Sequence, residues 1–182
     1  FLKIGLGSGS ACLTRSEVGV GMPQLAALME VVEAASGSGI GIISDGGCVT
    51  SGDICKAIGA GADLVMLGGM VASAEECDNI VHINGKPHVN IWGLGSRKQY
   101  DITRTSERRY RPSEGRELLI PCSGSVLDIF AQIKGALRSV CTYVGCERIG
   151  DLSKRAEFIR VTAQLNNSLA KYDVSTRPSS SY

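Results

Sequence analysis

An α/β fold built on buried parallel strands is predicted by two patterns and one bulk property. Three short apolar runs, residues 2–6, 40–43 and 64–67, each lead into a glycine-rich turn and lack the polar alternation of a half-exposed strand. Helical patterns follow the first two, which is the βα alternation of a parallel sheet. Hydrophobic residues make up 43% of the 182 positions and charged residues 20%, ordinary for a globular chain and too apolar for disorder. By length a single domain is expected, since domains run to roughly 100–200 residues.

The elements follow in order. Residues 2–6 open the chain as a strand, so Phe1-Leu2-Lys3-Ile4 reads as buried from the start, with no leader before it. Pro23 suits the first turn of a helix over 23–35, where Leu25, Leu28, Met29 and Val32 fall at helical spacing. After the strand at 40–43, Ser51 reads as the N-cap of a helix over 51–58 whose Ile54, Cys55 and Ile58 share a face. The strand at 64–67 leads into a short helix over 69–76. Residues 81–83 and 88–91 flank Asn84-Gly85, a strong hairpin signal. Residues 97–111 carry six basic side chains and no core pattern, which predicts a mobile flap. A strand over 117–120 ends at Pro121. The longest helical pattern, 125–143, sets Val126, Ile129, Phe130, Ile133 and Leu137 on one stripe. Residues 1–174 form the folded part, and the Ser/Thr-rich residues 175–182 are expected to be a flexible tail.

Bulk chemistry removes several function classes. With 19 basic and 18 acidic side chains the net charge is +1, which gives no global field for nucleic acid or a membrane surface. No apolar run approaches the roughly 18 residues of a membrane span, so no membrane partner is expected. The seven cysteines (12, 48, 55, 77, 122, 141, 146) contain no C-x-x-C pair and predict free thiols in a reducing compartment, the cytoplasm, most of them small buried hydrophobes. Only His82 and His88 are present, so acid–base work falls to carboxylates, hydroxyls or thiols.

The turn after the first strand reads Gly5-Leu6-Gly7-Ser8-Gly9-Ser10-Ala11-Cys12-Leu13-Thr14-Arg15. It lacks the third glycine of a dinucleotide fingerprint and the Gly-Lys-Ser/Thr of a Walker A loop. What remains is a thiol and a hydroxyl two residues apart at the C-terminal end of a strand, where βα barrels project catalytic groups. Glycines also let carbonyls turn inward, a geometry suited to a hard monovalent cation. The plain alternative is that Cys12 is an inert buried thiol. The next two strands end in Ser44-Asp45-Gly46-Gly47 and Gly68-Gly69. Glycines that expose backbone N–H groups bind anions, and Asp45 can accept ribose hydroxyls, so a nucleoside monophosphate is predicted; tight turns with a cap are the alternative. Glu114 follows the basic flap and can hydrogen-bond a purine N–H or exchange a proton. The flap arginines 104, 108, 109 and 111 are either solvated or grip an anionic cofactor; without interleaved aromatics they fall short of a nucleic-acid footprint.

Taken together, Gly7-Ser8-Gly9-Ser10-Ala11-Cys12-Leu13-Thr14, Ile43-Ser44-Asp45-Gly46-Gly47, the run from Gly59-Ala60-Gly61-Ala62-Asp63 to Gly68-Gly69, and Tyr110-Arg111-Pro112-Ser113-Glu114-Gly115 resemble the IMP dehydrogenase/GMP reductase family over about residues 3–165. The resemblance implies a (β/α)8 TIM barrel, usually a homotetramer, of which this chain supplies the C-terminal portion: about strands 6–8 with their helices, plus a small β-hairpin and flap insertion. A complete barrel takes about 250 residues, so the N-terminal part of its own barrel is an expected partner. Three features lie closer to the reductase branch: residues 139–145, residues 158–164, and the short segment between Gly95 and Glu114. Arg109-Tyr110 directly precedes Arg111 and so does not mark the longer, water-activating flap of the dehydrogenases. Gly95, where reductases usually carry serine, and the unusual Trp92-Gly93-Leu94-Gly95 depart from the pattern. No inserted regulatory pair of domains is visible.

The implied reaction is NADPH-dependent conversion of GMP to IMP and ammonia, with Cys12 attacking purine C2 and Thr14 and Glu114 relaying a proton. By resemblance, Asp45, Gly46, Gly47, Gly68, Gly69, Gly93, Leu94, Gly95, Arg111, Pro112, Ser113, Glu114 and Gly115 hold GMP. Leu94, Tyr110, Arg111, Ser139, Val140, Cys141 and Thr142 touch NADPH, and carbonyls of Gly7, Gly9, Cys12 and Arg15 hold a potassium ion. The alternatives are IMP dehydrogenase, which runs the hydride the other way, and a non-catalytic nucleotide-binding module. Ser180-Ser181-Tyr182 has the size pattern of a degenerate peroxisome-type address, so an organelle such as the glycosome is the alternative to the cytoplasm.

Overall fold

The computed structural model describes residues 1–103 and 111–162. The predicted α/β character holds. Strands Leu2–Ile4 (β1), Ile42–Asp45 (β2) and Leu64–Met66 (β3) form a parallel sheet in the order β1-β2-β3. Thr14–Val18 (α1) and Gln24–Ala34 (α2) connect the first two strands, and Ser51–Gly59 (α3) the next two. Gly69–Ala72 (α4) follows β3 and is shorter than the expected 69–76. A second, antiparallel sheet takes Ile80–Ile83 (β4), Lys86–Trp92 (β5) and Glu117–Pro121 (β6) in sequence order. Between β5 and β6 lies Arg97–Thr103 (α5); Val126–Val144 (α6), a 3-10 turn at Ile149–Asp151 and Leu152–Arg155 (α7) complete the described chain. No helix among the described residues is long and apolar enough to cross a membrane.

The core of the parallel unit is small and well defined. Leu28 on α2, Ile42 on β2, Ala57 on α3 and Ala62 are buried together, with Ile4, Val31, Val32 and Val65 packed around them. Met29, assigned to the same helical stripe, is exposed, because 11 residues of α2 offer the sheet one narrow face. Phe130, expected on the buried stripe of α6, is exposed for the same reason, while Ile133 is buried. On the sheet itself Phe1, Leu2, Leu64 and Met66 remain exposed, and among the described residues β1 and β3 each pair only with β2. Of the cysteines only Cys55 and Cys146 are buried, which corrects the expectation that most are; all seven are unpaired.

Local chemistry explains the element ends. Thr50, not Ser51, caps α3: its extended backbone lets Oγ1 accept the Asp53 N–H, while the Asp53 carboxylate accepts the Thr50 N–H at 2.9 Å and hydroxyl at 2.8 Å. Ser51 lies one residue too late for that reciprocal box. Burial alone would raise the Asp53 pKa, but the bonds from Lys56, Thr50 and Val49 hold its carboxyl far below the usual range. Asn84 and Gly85 both take positive φ, 51° and 76°, as a two-residue hairpin turn requires. α6 ends in a Schellman motif: Gly145 has φ 75°, Cys146 N–H donates to Cys141 O at 2.9 Å and Gly145 N–H to Thr142 O at 3.3 Å. That motif sets Cys146 beside Cys141, and burial together with the neighbouring thiol pushes the Cys141 pKa up.

Two tertiary ties fix the loops at the C-terminal ends of the strands. Gln24 Nε2 donates to Ile4 O at 2.7 Å and to Ser44 Oγ at 3.2 Å, joining β1 to β2 through the start of α2. Gly5 then passes so close to β2 that a Cβ on it would stand 2.0 Å from Asp45 O. Farther on, Glu76 reaches the start of α6: its carboxylate accepts Ser125 Oγ at 2.7 Å and Val126 N–H at 2.9 Å.

Gly5→Ala is expected to separate the loops after β1 and β2, since the clash is with backbone and cannot be relieved by a rotamer change. A loss of several kcal/mol, read as a fall in the chemical-denaturation midpoint of the complete polypeptide, checks it. Hydrogen bonds from Ser125 and Val126 hold the Glu76 carboxyl below its ordinary pKa. This contribution is therefore present above the unfolded-state value of about 4.3 and is lost as pH falls through the depressed folded value. Glu76→Gln is expected to flatten the stability profile below about pH 5 in denaturation curves taken at several pH values. Ser125→Ala is expected to cost about 1 kcal/mol as an ordinary N-cap loss.

Candidate active site

The loop from Gly5 to Leu13 leaves β1 without a hydrophobic anchor, and its shape comes from backbone pairing. Leu13 N–H donates to Glu114 O at 2.6 Å, Arg116 N–H to Ala11 O at 3.0 Å, and Arg116 Nε to Ser10 O at 2.9 Å. Cys12 thereby bridges antiparallel to Gly115, whose other side bridges Ser96. Gly115 is buried, and a Cβ there would stand 2.6 Å from Ser96 N, so only glycine admits the double approach. Within the loop Cys12 N–H closes a turn on Gly9 O at 3.0 Å. This brings Cys12 Sγ to 3.1 Å from Thr14 Oγ1, with Thr14 buried as the first residue of α1.

Two adjoining cavities meet at this loop. The first, of about 490 Å3, is lined by Cys12, Thr14, Glu114 and Arg111, by Gly93, Leu94, Gly95 and Gly115, by Tyr100 on α5, and by the glycines at 5, 7 and 9. The second, of about 530 Å3, is lined by Asp45, Gly46, Gly47 and Cys48 after β2, by Gly68 and Gly69 at the start of α4, and by Ile91 and Trp92 of β5. Ser8, Gly9, Ala11 and Asp45 line both. Each volume falls in the range of small-molecule sites, and their shared wall lets one elongated ligand span them.

Charge at the junction is set by Asp45. It closes β2, and Lys3 Nζ pairs with its Oδ2 at 2.9 Å. Ser8 Oγ donates to Asp45 O at 2.7 Å, tying the thiol loop to the turn after β2. Gly46 and Gly47 both have positive φ, 88° and 85°, which turns the chain away from β2 immediately after the carboxylate. Burial first, then the Asp53 carboxylate, pushes the Cys48 thiol up despite Lys56 nearby.

Most of the sequence-predicted residues come together here, and some do not. Ser113 does not line either cavity; its hydroxyl donates to Gly95 O at 3.2 Å and Gly115 O at 3.1 Å, bracing the turn that carries Glu114. Pro112, on the same turn, also lies outside both linings. Ser139, Val140, Cys141 and Thr142 lie on the last turns of α6 and line neither cavity. Tyr110, the arginines at 104, 108 and 109, and the tail with Ser180-Ser181-Tyr182 lie outside the described residues. The Arg15 side chain turns back on its own loop, with Nε donating to Leu6 O at 3.3 Å and the guanidinium also reaching Met22 O. Among the described residues no group of three or more histidine, cysteine, aspartate or glutamate side chains could hold a metal ion.

Sequence reasoning missed Tyr100, Ser8 and Trp92 as lining residues. Residues 97–103 showed no apolar period and were expected to be flap, yet Arg97–Thr103 is a helix because local contacts replace burial. Trp92 Nε1 donates to Gln99 Oε1 at 2.9 Å, Lys98 Nζ sits 4.3 Å from the Trp92 ring centroid, and the same ammonium pairs with Glu117 at 3.0 Å. The one signal for this was the departure at Trp92 itself.

A family model described as the IMP dehydrogenase / GMP reductase domain matches residues 1–168. GMP reductase of Aeromonas hydrophila is 46% identical over 172 residues, covering 94% of this chain and 50% of that protein. GMP reductase of Onchocerca volvulus is 41% identical over 175 residues, covering 96% of this chain and 48% of that protein. Among solved structures, a cysteine-to-alanine variant of GMP reductase from Trypanosoma brucei in complex with guanosine 5'-monophosphate superposes with a TM-score of 0.81 at 38% identity, covering 94% of this chain and 35% of that one. The chain spans about half the length of the curated relatives it matches. With the model matched over residues 1–168 and identities above 40%, the chain belongs to the IMP dehydrogenase/GMP reductase family.

Proposed function

We propose that this chain carries the nucleophile and the nucleotide site of a GMP reductase, converting GMP to IMP and ammonia at the expense of NADPH. The observation that carries the reading is the 3.1 Å contact between Cys12 Sγ and Thr14 Oγ1 in a cavity that Glu114 also lines. The likeness to a guanosine 5'-monophosphate complex supports the same ligand. The purine lies in the first cavity and the phosphate in the second, against the glycines at 46, 47, 68 and 69, with the ribose hydroxyls donating to Asp45 where the two cavities meet.

The Cys12 thiolate adds to purine C2, so that C2 becomes tetrahedral and the amino group becomes a leaving group. Thr14 hands a proton toward that amine and Glu114 supplies it, because ammonia leaves far more readily than its anion. Bound NADPH supplies the hydride that C2 takes up in place of the amino group. The C2–S bond then breaks, Cys12 regains its thiolate and IMP is released. Lys3 holds the Asp45 side chain in place through Oδ2, and the backbone clamp at Gly115 ties the turn that carries Glu114 to the thiol loop.

NADPH fits the residues present: Leu94 is 85% exposed at the rim of the first cavity beside Arg111, an apolar surface and a cation at one mouth. Residues 110 and 139–142 complete its contacts in this reading. Backbone carbonyls of Gly7, Gly9, Cys12 and Arg15 would hold a potassium ion by the chemistry of hard oxygen donors, and Gly9 O keeps a second lone pair beyond its bond to Cys12. The edges of β1 and β3, unpaired among the described residues, and the exposed Leu64 and Met66 suit the remaining strands of a (β/α)8 barrel, in a homotetramer located in the cytoplasm. The short segment between Gly95 and Glu114 disfavours the dehydrogenase alternative.

Incubating the complete polypeptide with GMP and NADPH, and separately with IMP and NAD, decides the direction through the absorbance of the reduced cofactor. Oxidation of NADPH with GMP is expected, and activity with IMP and NAD alone overturns the reading. Cys12→Ser is expected to lower turnover by at least about 1,000-fold, as loss of a covalent nucleophile does. Glu114→Gln is expected to slow ammonia release about 100-fold or more while calorimetry still finds GMP bound; unchanged turnover removes Glu114 from the relay.

A further inference from the structure

Among the described residues, two large apolar side chains line the first cavity, Leu94 and Tyr100, and the rest of that lining is glycine, alanine, a small polar group or a charge. Tyr100 is half-buried, and its hydroxyl makes no hydrogen bond among the described residues. A phenol that borders a cavity with its polar tip unspent is an amphipathic contact waiting for a partner with a flat face and a polar edge.

The ring is also placed with care. Ser96 is 1% exposed; its Oγ accepts Gln99 N–H at 3.2 Å and its carbonyl accepts Tyr100 N–H at 3.1 Å, which starts α5 at a fixed point. On the other side Trp92 binds Gln99, and Lys98 is held between the Trp92 ring and Glu117. The residues on either side of position 96 thus inherit the rigidity of β5 and β6, and Tyr100 is one turn along the helix they pin. So short a helix, poor in apolar residues, would not hold a side chain still without these ties.

We infer that Tyr100 is a binding residue for the hydride donor, its ring packing against the reduced nicotinamide with Leu94 and its hydroxyl meeting the carboxamide. The inference rests on the proposed reaction. The nucleotide already has partners of matching chemistry: carboxylates for its N–H and hydroxyl groups, glycine backbone for its phosphate. A dihydronicotinamide is flat, uncharged and edged by one amide, and it must lie against the purine from the solvent side. Among the described residues lining that cavity, Tyr100 provides the aromatic surface and the exposed Leu94 the aliphatic one.

The test uses Tyr100→Phe and Tyr100→Leu in the complete polypeptide, with three readouts. These are the KM for NADPH, the dissociation constant of NADPH from its fluorescence on binding, and the dissociation constant of GMP by calorimetry. Tyr100→Leu is expected to weaken NADPH by about tenfold in both cofactor readouts, the size of one lost aromatic contact, with GMP binding changed less than about twofold. Tyr100→Phe, which keeps the ring and so guards against misfolding of the leucine variant, is expected to give about threefold from the lost hydroxyl. Gln99→Ala, which removes the Trp92 tie on the helix from outside both cavities, is expected to weaken NADPH in the same direction with GMP binding changed less than about twofold. Equal loss of GMP and NADPH, or no change in NADPH for either Tyr100 variant, overturns the inference. If the unsubstituted protein binds NADPH but does not oxidise it with GMP, the reaction reading fails while the fluorescence readout still decides Tyr100; if it binds no NADPH, both fall.

Discussion

The loop that carries Cys12 contains almost no side chain able to anchor it in a core, so its conformation depends on backbone hydrogen bonds donated and accepted across to residues 114–116, which bond in turn to Gly93 and Gly95. Leu13 bonds to Glu114, Arg116 bonds to Ala11, and Cys12 pairs with Gly115, which itself pairs with Ser96. These contacts join the parallel unit to the antiparallel sheet, and they place Glu114 against the thiol loop by the same bonds that shape the loop. Remove the clamp and neither sheet loses its own core, but the thiol and the carboxylate no longer share a cavity.

Glycine makes that arrangement sterically feasible at particular points rather than generally. Gly5 admits the close passage under Asp45, Gly115 the double bridge, and Gly93 the approach of Ala11, whose carbonyl would lie 2.9 Å from a Cβ at position 93. Small residues at these crossings leave much of the wall around the thiol as backbone, which is rich in donors and acceptors. Few larger groups reach in beside it, and α5 is the element that brings one of them. Its stability is borrowed from the Trp92–Lys98–Glu117 stack on the neighbouring hairpin, so the helix exists because of the sheet beside it.

Much of this was legible before any coordinates. Asn84-Gly85 specified its hairpin because two successive positive φ values are cheap only for such residues. The apolar stripe over 125–143 marked a real helix, and the structure adds Ser125 as its N-cap. The Cys12-Leu13-Thr14 spacing, read as a thiol and a hydroxyl in one loop, became a 3.1 Å contact. The failures are equally physical. Ser51 lost the cap position to Thr50 because the reciprocal bond needs Asp53 three residues on, a spacing that Thr50 satisfies and Ser51 does not. α5 was hidden because its stabilising partners are Trp92 and Glu117, outside the segment, and no window on 97–103 contains them. Phe130 and Met29 read as core from helical period alone, but period says which residues share a face and not which part of that face is covered.

By itself the sequence determined the alternation of strands and helices, the glycine turns at the strand ends and the pairing of a thiol with a hydroxyl two residues on, because each rests on interactions between near neighbours in the chain. Tertiary structure alone decided that Asp45 meets Lys3 and Ser8, that Gly115 carries two bridges, and that Tyr100 lines the cavity of Cys12. Those facts come from pairs separated by tens of residues, where no local periodicity records the partner and only the packing of one sheet against the next brings the groups within bonding distance.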